Sequence, residues 1–328
     1  MNDGIAMKPM PYFDVVTFGE TMIRLSPPGY ERLEATDTLD FRIGGSESNT
    51  AVALVRLGRR VSWWSRLVDN PLGRKIAGQM ARWGVDTSYV IWTDTGRVGV
   101  YYIEFGMPPR PHHVHYDRAH SAVSELSPEQ VDWSHLDNAR HLHVSGITAA
   151  LSASCAETVA RAIREAKERG LSVSFDVNFR RKLWPATQCR QTIEPLLPKV
   201  DLLFCPLGDA EEVFGFSDTP ERVARAFQES YGVPTVVVTG SRERVEAVDG
   251  DRRLSTPVIP AREVDRIGSG DAGNAGILHG YLDGDLTKGL RYGAAMAALK
   301  HSIPGDELIA TREEIEAIVN GASVNIQR

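Results

Sequence analysis

The residues best placed to do chemistry stand late in the chain, where Gly268-Ser269-Gly270 runs directly into Asp271. Glycines on either side of Ser269 let the backbone turn sharply, so that successive N–H groups point outward. A helix expected to begin around Asp271 adds its own N-terminal N–H groups. Together they form a site suited to an anion, or to charge developing on a phosphoryl group in transfer. A carboxylate in the first turn of that helix can take a proton from an attacking hydroxyl. The same residues also fit an aspartate that merely caps a helix after a glycine-rich turn, and a short glycine motif alone does not separate the two.

Composition bounds the partners. The 328 residues suffice for one large α/β domain or one domain with a small appendage. Lys and Arg number 37 against 43 Asp and Glu, a balance of −6, which gives no electrostatic case for nucleic acid or an anionic membrane. An anionic substrate must then be held by locally placed arginines. No apolar run approaches the ~18 residues of a membrane-spanning helix. The opening segment MNDGIAMKPMPYFD lacks the apolar centre of a signal peptide and reads as a short leader before the first strand. Cys155, Cys189 and Cys205 fit no metal-ligand spacing, so a reduced, cytoplasmic setting is expected.

The elements that must position this chemistry alternate. Short β-branched runs at 13–18, 60–67, 141–145, 171–177, 201–205 and 234–239 read as strands. Between two of them, CAETVARAIREAKERG repeats Val159, Ile163 and Ala166 at helical spacing before Gly170. Strand and helix in series predict a parallel sheet with helices on both faces. The strands end at Gly19-Glu20, at 66–70, at Gly146, at 176–180 and at Thr239-Gly240, and such sheets bind ligands at those ends. Segments 21–43 and 96–118 break the rhythm. They read as strand pairs that make a small second sheet.

Three motifs in order carry a resemblance over most of the chain. DRIGSGDAGNAG, at 265–276, is similar to the second signature of the PfkB carbohydrate kinases, whose core is Asp-Thr-x-Gly-Ala-Gly-Asp. FRIGGSESNTAVALVRLG, at 41–58, resembles the first signature, and DNPLGRKIAGQMARWGVD, at 69–86, resembles the helix between them. The resemblance implies a ribokinase-like α/β/α sandwich with a mostly parallel central sheet and a small β-sheet lid. It implies a single kinase domain over 1–328, with lid strands from about 20–43 and 96–118. Asp271 becomes the general base and the Gly268-Ser269-Gly270 backbone the anion hole. ATP would lie under the loop 239–244, near Thr239, Gly240, Ser241 and Arg244, and beside the helix around 294–300. Asn178 and Arg180 would lie close to its phosphates. Mg2+ is implied, a monovalent cation is left open, and a homodimer through the lid is expected.

Segments GGSESN (44–49), VHYDR (114–118), FDVNFRRKLW (175–184) and KHSIPGD (300–306) resemble 2-keto-3-deoxygluconate kinases more than ribokinases or fructokinases. A sugar acid needs cationic partners, and Arg118 and Arg180 offer bidentate hydrogen bonds. Tyr101 and Tyr116 add phenolic donors, Gly45 and Asn49 would meet sugar hydroxyls, and Asp306 is a further polar candidate. The arginines also fit structural ion pairs, and Tyr101 fits simple packing under the lid. His112, His113 and His115 invite a metal reading, but no Cys or carboxylate completes a ligand set.

Two departures bear on turnover. The family's Asn-x-x-Glu after the fifth strand reads Pro206-Leu207-Gly208-Asp209, leaving Asp209, or Glu211 and Glu212 through water, to help hold magnesium. The family's usual Phe after the base is Gly273, and the loop 239–244 is more charged than usual. Another sugar or nucleoside kinase of the same fold, or a non-catalytic sugar-binding relative, remain alternatives.

Overall fold

Apolar residues alternate between two cores along each central strand. Val16, Leu203 and Val236 pack on one face of the sheet, while Val15, Leu202 and Val237 pack on the other. Burial on both faces is what a parallel sheet between helical layers requires. The computed structural model describes residues 12–241 and 243–321. The leader expected before the first strand lies, as far as residue 11, outside the described residues, as does Arg242.

The main sheet has eight strands in the order Arg252–Pro257, Arg244–Asp249, Thr235–Thr239, Leu202–Pro206, Ser172–Asp176, His141–Ser145, Val15–Phe18, Val61–Trp64. The last six run parallel, and the Arg244–Asp249 and Arg252–Pro257 hairpin closes one edge antiparallel. Helices cover both faces, giving the expected three-layer α/β/α sandwich. The expected helix runs Ala153–Glu168, and Gly170 follows at φ 79°.

Two expectations need correction. The run 60–67 is not one strand: the chain leaves the main sheet at Ser65, whose carbonyl accepts from Ile91 N–H at 2.8 Å. Arg66–Val68 then pairs with Ile91–Thr93 in a separate two-stranded sheet. The helix carrying Asp271 begins at Ser269 rather than at Asp271, because Gly268 takes φ 82° and turns the chain into it. The 244–257 hairpin was not foreseen, since its charged residues mask the pattern of an edge strand.

The lid is a four-stranded sheet ordered Asp40–Gly44, Met22–Ser26, Val100–Glu104, His113–Asp117. Register places Arg42, Arg24, Tyr101 and Tyr116 in one cross-strand row. Arg24 and Tyr101 are buried, so that row faces the sandwich.

Beneath the site, the Ser269–Leu282 and Leu286–His301 helices touch through glycines. A Cβ at Gly276 would sit 2.5 Å from Gly293 N, so the two backbones approach as closely as glycine allows.

Candidate active site

A cleft of about 510 Å³, open mouth included, lies between the lid and the carboxyl ends of the strands. Met22, Ile147 and Ile267 give it apolar wall, and Gly45, Asn49, Tyr101, Tyr116, Arg118, Arg180, Asp271 and Asp306 all line it. Seven candidates from the lid, from helix starts and from loops thus converge with Asp271 on one space.

Asp271 is oriented from across the chain. Ser46 Oγ donates to its Oδ1 at 2.8 Å and Asn49 Nδ2 to its Oδ2 at 2.8 Å. Ser46 and Asn49 sit at i and i+3 in the first turn of the Ser46–Arg56 helix, so both face the same way. Gly45, the N-cap of that helix, directs its N–H towards Asn49 Oδ1 at 3.4 Å. Part of the Asp271 surface stays open to the cleft. Desolvation still pushes its pKa from 3.8 up to about 6, against the two donors, which hold it down.

The collar before Asp271 is built on contact with a neighbouring loop. A Cβ at Gly268 would collide with the Asp306 carbonyl, so glycine is required there for close approach as well as for its φ. Ser269 N–H turns back to Arg266 O at 3.2 Å, and Ala272 N–H begins the helix by reaching Gly268 O at 2.9 Å. Helix geometry leaves the N–H groups of Gly270 and Asp271 without i−4 carbonyls, free for an anion.

Asp306 is committed to the protein. Arg24 Nη1 donates to its Oδ1 at 2.6 Å and Tyr101 Oη to its Oδ2 at 2.5 Å. Arg24 Nη2 donates to Asp265 Oδ2 at 2.6 Å, so one guanidinium bridges two buried carboxylates. Burial pushes Asp306 above the usual carboxylate range while Arg24 and Tyr101 pull it down. Burial, aided by Asp306, pushes Tyr101 well up.

The two arginines differ. Arg118 forms an ion pair with Glu20, and its guanidinium lies 5.6 Å from the Tyr116 ring centre. Glu20 is 3 % exposed, so this pair is buried at the cleft wall. Arg180 is exposed, with Nη1 donating to Phe179 O at 3.1 Å. It lowers the pKa of Asp271, Asp176 and Asp209 by its charge. Two residues on, Lys182 Nζ donates to Val114 O in the lid at 2.9 Å and lies 5.7 Å from the Tyr116 ring.

Asn178, at φ 43°, donates through one amide nitrogen to Ser46 Oγ at 2.8 Å and to Asp176 Oδ2 at 3.0 Å. Asn274, one turn after Asp271, donates to the same Asp176 oxygen at 3.0 Å. Desolvation first, then Asp271 and Asp209, push Asp176 well above the usual carboxylate range. Asp209 accepts from Phe179 N–H at 2.8 Å and is raised by burial. Glu212 is held by Arg181 at 2.5 and 2.6 Å.

Thr239 ends a central strand, and Gly240 follows at φ 90°. Ser241 Oγ accepts from Glu243 N–H at 3.2 Å, while Arg244 donates to Ser255 Oγ at 3.1 and 2.6 Å. These four therefore lie outside the cleft that holds Asp271. The histidines do not gather: His113 and His115 rings are 6.4 Å apart, and His112 Nε2 is 3.3 Å from Glu263. Sequence reasoning missed Glu20, Arg24, Ser46, Asp176 and Asn274. Ser46, Asp176 and Asn274 all lay within quoted motifs, three residues from Asn49, two from Asn178 and three from Asp271, whereas Glu20 and Arg24 lay in none.

Residues 13–312 match the family model described as pfkB family carbohydrate kinase. The chain is 40% identical to a 2-dehydro-3-deoxygalactonokinase of Haloferax volcanii, across 96% of this chain and 99% of that one. It is 31% identical to a 2-dehydro-3-deoxygluconokinase of Bacillus subtilis, across 94% and 95%. Among solved structures, a 2-dehydro-3-deoxygluconokinase from Thermotoga maritima superposes with a TM-score of 0.89 at 35% identity, covering 94% of this chain and 100% of that one.

Proposed function

The chain belongs to the pfkB family of carbohydrate kinases, and from that premise we propose that it phosphorylates the terminal hydroxyl of 2-keto-3-deoxygluconate, giving the 6-phosphate. It is an ATP-dependent sugar kinase. The observation that carries the mechanism is Asp271 at the start of a helix, aimed by Ser46 and Asn49 and partly open to the cleft. Raised to about 6, it is ionised at neutral pH yet basic enough to take the hydroxyl proton as attack begins. Of the 268–270 turn, Ser269 N–H is spent on Arg266 O, so the N–H groups of Gly270 and Asp271 at the helix start are the ones to meet the charge that builds up beside the base, and Arg180 adds a cation to the same wall.

Bound ATP supplies the phosphoryl group, and Mg2+ neutralises charge on it. The residues fit that pair. Gly270 has nothing within 4 Å of where a Cβ would stand, which leaves room against the helix start. Asp209, whose Oδ2 accepts from Phe179 N–H, lines a neighbouring pocket with Glu211 and Glu212 rather than the Asp271 cleft, and would reach an ion through the several waters that magnesium retains. Thr239, Gly240, Ser241 and Arg244 are read as the nucleotide side by resemblance, with Asn178 acting through Ser46.

For the acceptor, Arg118, Arg180 and Tyr116 support a carboxylate-bearing sugar. The Haloferax relative favours a second reading, the C4 epimer 2-keto-3-deoxygalactonate. We read the chain as one kinase unit working in the cytoplasm, where its three buried thiols stay reduced. We also read it as a homodimer through the outer lid face, where Phe41, Leu25, Tyr102 and His115 form an exposed or half-exposed row.

The test is ATP consumption with magnesium across sugar acids and neutral sugars, beside Asp271→Asn. Turnover of either keto-deoxy acid that the variant loses supports the reading. Turnover confined to a neutral sugar sinks the sugar-acid assignment and keeps the kinase.

A further inference from the structure

Lys300 lies in the last turn of the Leu286–His301 helix and is 0 % exposed. Its ammonium donates to two main-chain carbonyls, Asp265 O at 3.1 Å and Ile303 O at 2.8 Å. A long cationic side chain is thus buried for the sake of two backbone oxygens, an arrangement that costs free energy unless the charge is used.

Those carbonyls belong to two segments that meet under the anion-binding turn. Residues 265–268 lead straight into the Asp271 helix, and 302–306 carry the carbonyl against which Gly268 is packed. The segments are further tied by Gly305 N–H to Asp265 Oδ2 at 2.8 Å, and by Val264 and Asp265 N–H to His301 O at 2.7 and 3.1 Å.

Charge bookkeeping points the same way. Arg24, Asp265 and Asp306 are 1 %, 2 % and 4 % exposed, and by themselves leave one buried negative charge. A protonated Lys300 cancels it. Burial pulls the Lys300 pKa down, and the two aspartates pull it back up.

We propose that Lys300 is a positioning residue for phosphoryl transfer: its ammonium is a built-in cation that fixes the 265–268 turn, and with it Asp271, so that turnover needs no monovalent metal ion. Carbonyl oxygens are how proteins replace the hydration shell of K+, and an ammonium carries the same charge on a tether. The inference answers the question of a monovalent cation that the sequence left open, and it rests on the kinase reading of the same site.

The experiment compares kcat in tetramethylammonium, sodium and potassium chloride at equal ionic strength, with saturating MgATP and keto-deoxy acid. The wild type is expected to show the same kcat in all three salts. Lys300→Ala is expected to lose roughly 10²-fold in kcat in tetramethylammonium, with KM values changed far less, because a small misplacement of the reacting groups suffices. Ammonium or potassium ions should restore part of that loss, by occupying the space the side chain vacated. Lys300→Met fills the space without charge, so it should be slow and beyond rescue; if the alanine variant fails to fold, this variant and the wild-type salt series decide. Potassium activation of the wild type overturns the proposal, as does full kcat in either variant or an alanine variant that no cation rescues. A wild type inert in every salt sinks the kinase reading, and the inference with it.

Discussion

Tyr101 Oη donates to Asp306 Oδ2 at 2.5 Å, joining the lid sheet to the loop that supports the anion-binding turn. Tyr101→Phe leaves that buried oxygen without its donor while Arg24 keeps the other. A loss of about 1–3 kcal/mol is expected from an unsatisfied buried acceptor. Denaturant unfolding measures it, and an unchanged midpoint would show that the bond contributes nothing.

The acid limb of activity should report Asp271. Its pKa of about 6 means that kcat/KM falls as pH drops through that value, since the protonated carboxyl cannot accept the hydroxyl proton. Ser46 and Asn49 hold this pKa down by donating to the ionised form. Asn49→Ala should therefore move the limb to higher pH. A midpoint that stays put in the variant assigns the limb to another group.

Arg118 and Arg180 should separate under alanine substitution. Arg180 is exposed and bonded to one carbonyl, so Arg180→Ala should reduce turnover and leave the melting temperature unchanged. Arg118→Ala strands Glu20 in a buried position and should cost roughly 3–5 kcal/mol of stability as well as affinity for a sugar acid. Equal melting temperatures for both variants would contradict the assignment.

Acid should act on a buried histidine pair. His141 shares its two ring nitrogens between Ser172 and Ser174 at 2.7 Å, and His143 reaches Ser174 at 2.8 Å. Burial lowers His143 from 6.5 to about 4. The unfolded chain then binds a proton that the folded chain refuses, so its share of stability is present above 6.5 and drains as pH falls towards 4. The buried carboxylates raised by desolvation work in the opposite sense, so the comparison must be made against a variant. His143→Gln should lose less stability than the wild type between pH 7 and 4 in urea titrations, and equal losses would reject the mechanism.

The helix pair under the site offers a contrast between two glycines. A Cβ at Gly273 would meet Ala297 Cβ and Gly293 O at 3.6 Å, ordinary contact, so Gly273→Ala should be neutral or stabilise by up to ~1 kcal/mol through helix propensity. At Gly276 the added carbon overlaps the facing backbone, and ~1–3 kcal/mol of destabilisation is expected. Calorimetric melting of the two variants decides it.

What could be read from the sequence was what local chemistry encodes. Thr235–Thr239 was legible because a run of three valines between threonines has few other uses, and the 153–168 helix because its apolar residues keep one period. Asp271 was legible through its glycines, and the substrate candidates through the segments that carry them. What stayed hidden depends on partners far along the chain. Arg24 meets Asp306 across 282 positions and Asp265 across 241, and nothing near residue 24 announces either. The same blindness made Asp306 look like a free ligand when Arg24 and Tyr101 already hold both its oxygens. Asp176 was passed over as one more polar strand end, since its neighbours Asn178 and Asn274 converge only in space.

The bond from Lys182 to Val114 gears the cover of the cleft to its charge. Arg180 rides on a short span of chain moored at Asn178 to the sheet and at Lys182 to the lid. Arg180 is thereby strung between the two walls of the cleft, with an anchor two residues to either side, so the exposed cation facing Asp271 is set by the strand ends and the lid together.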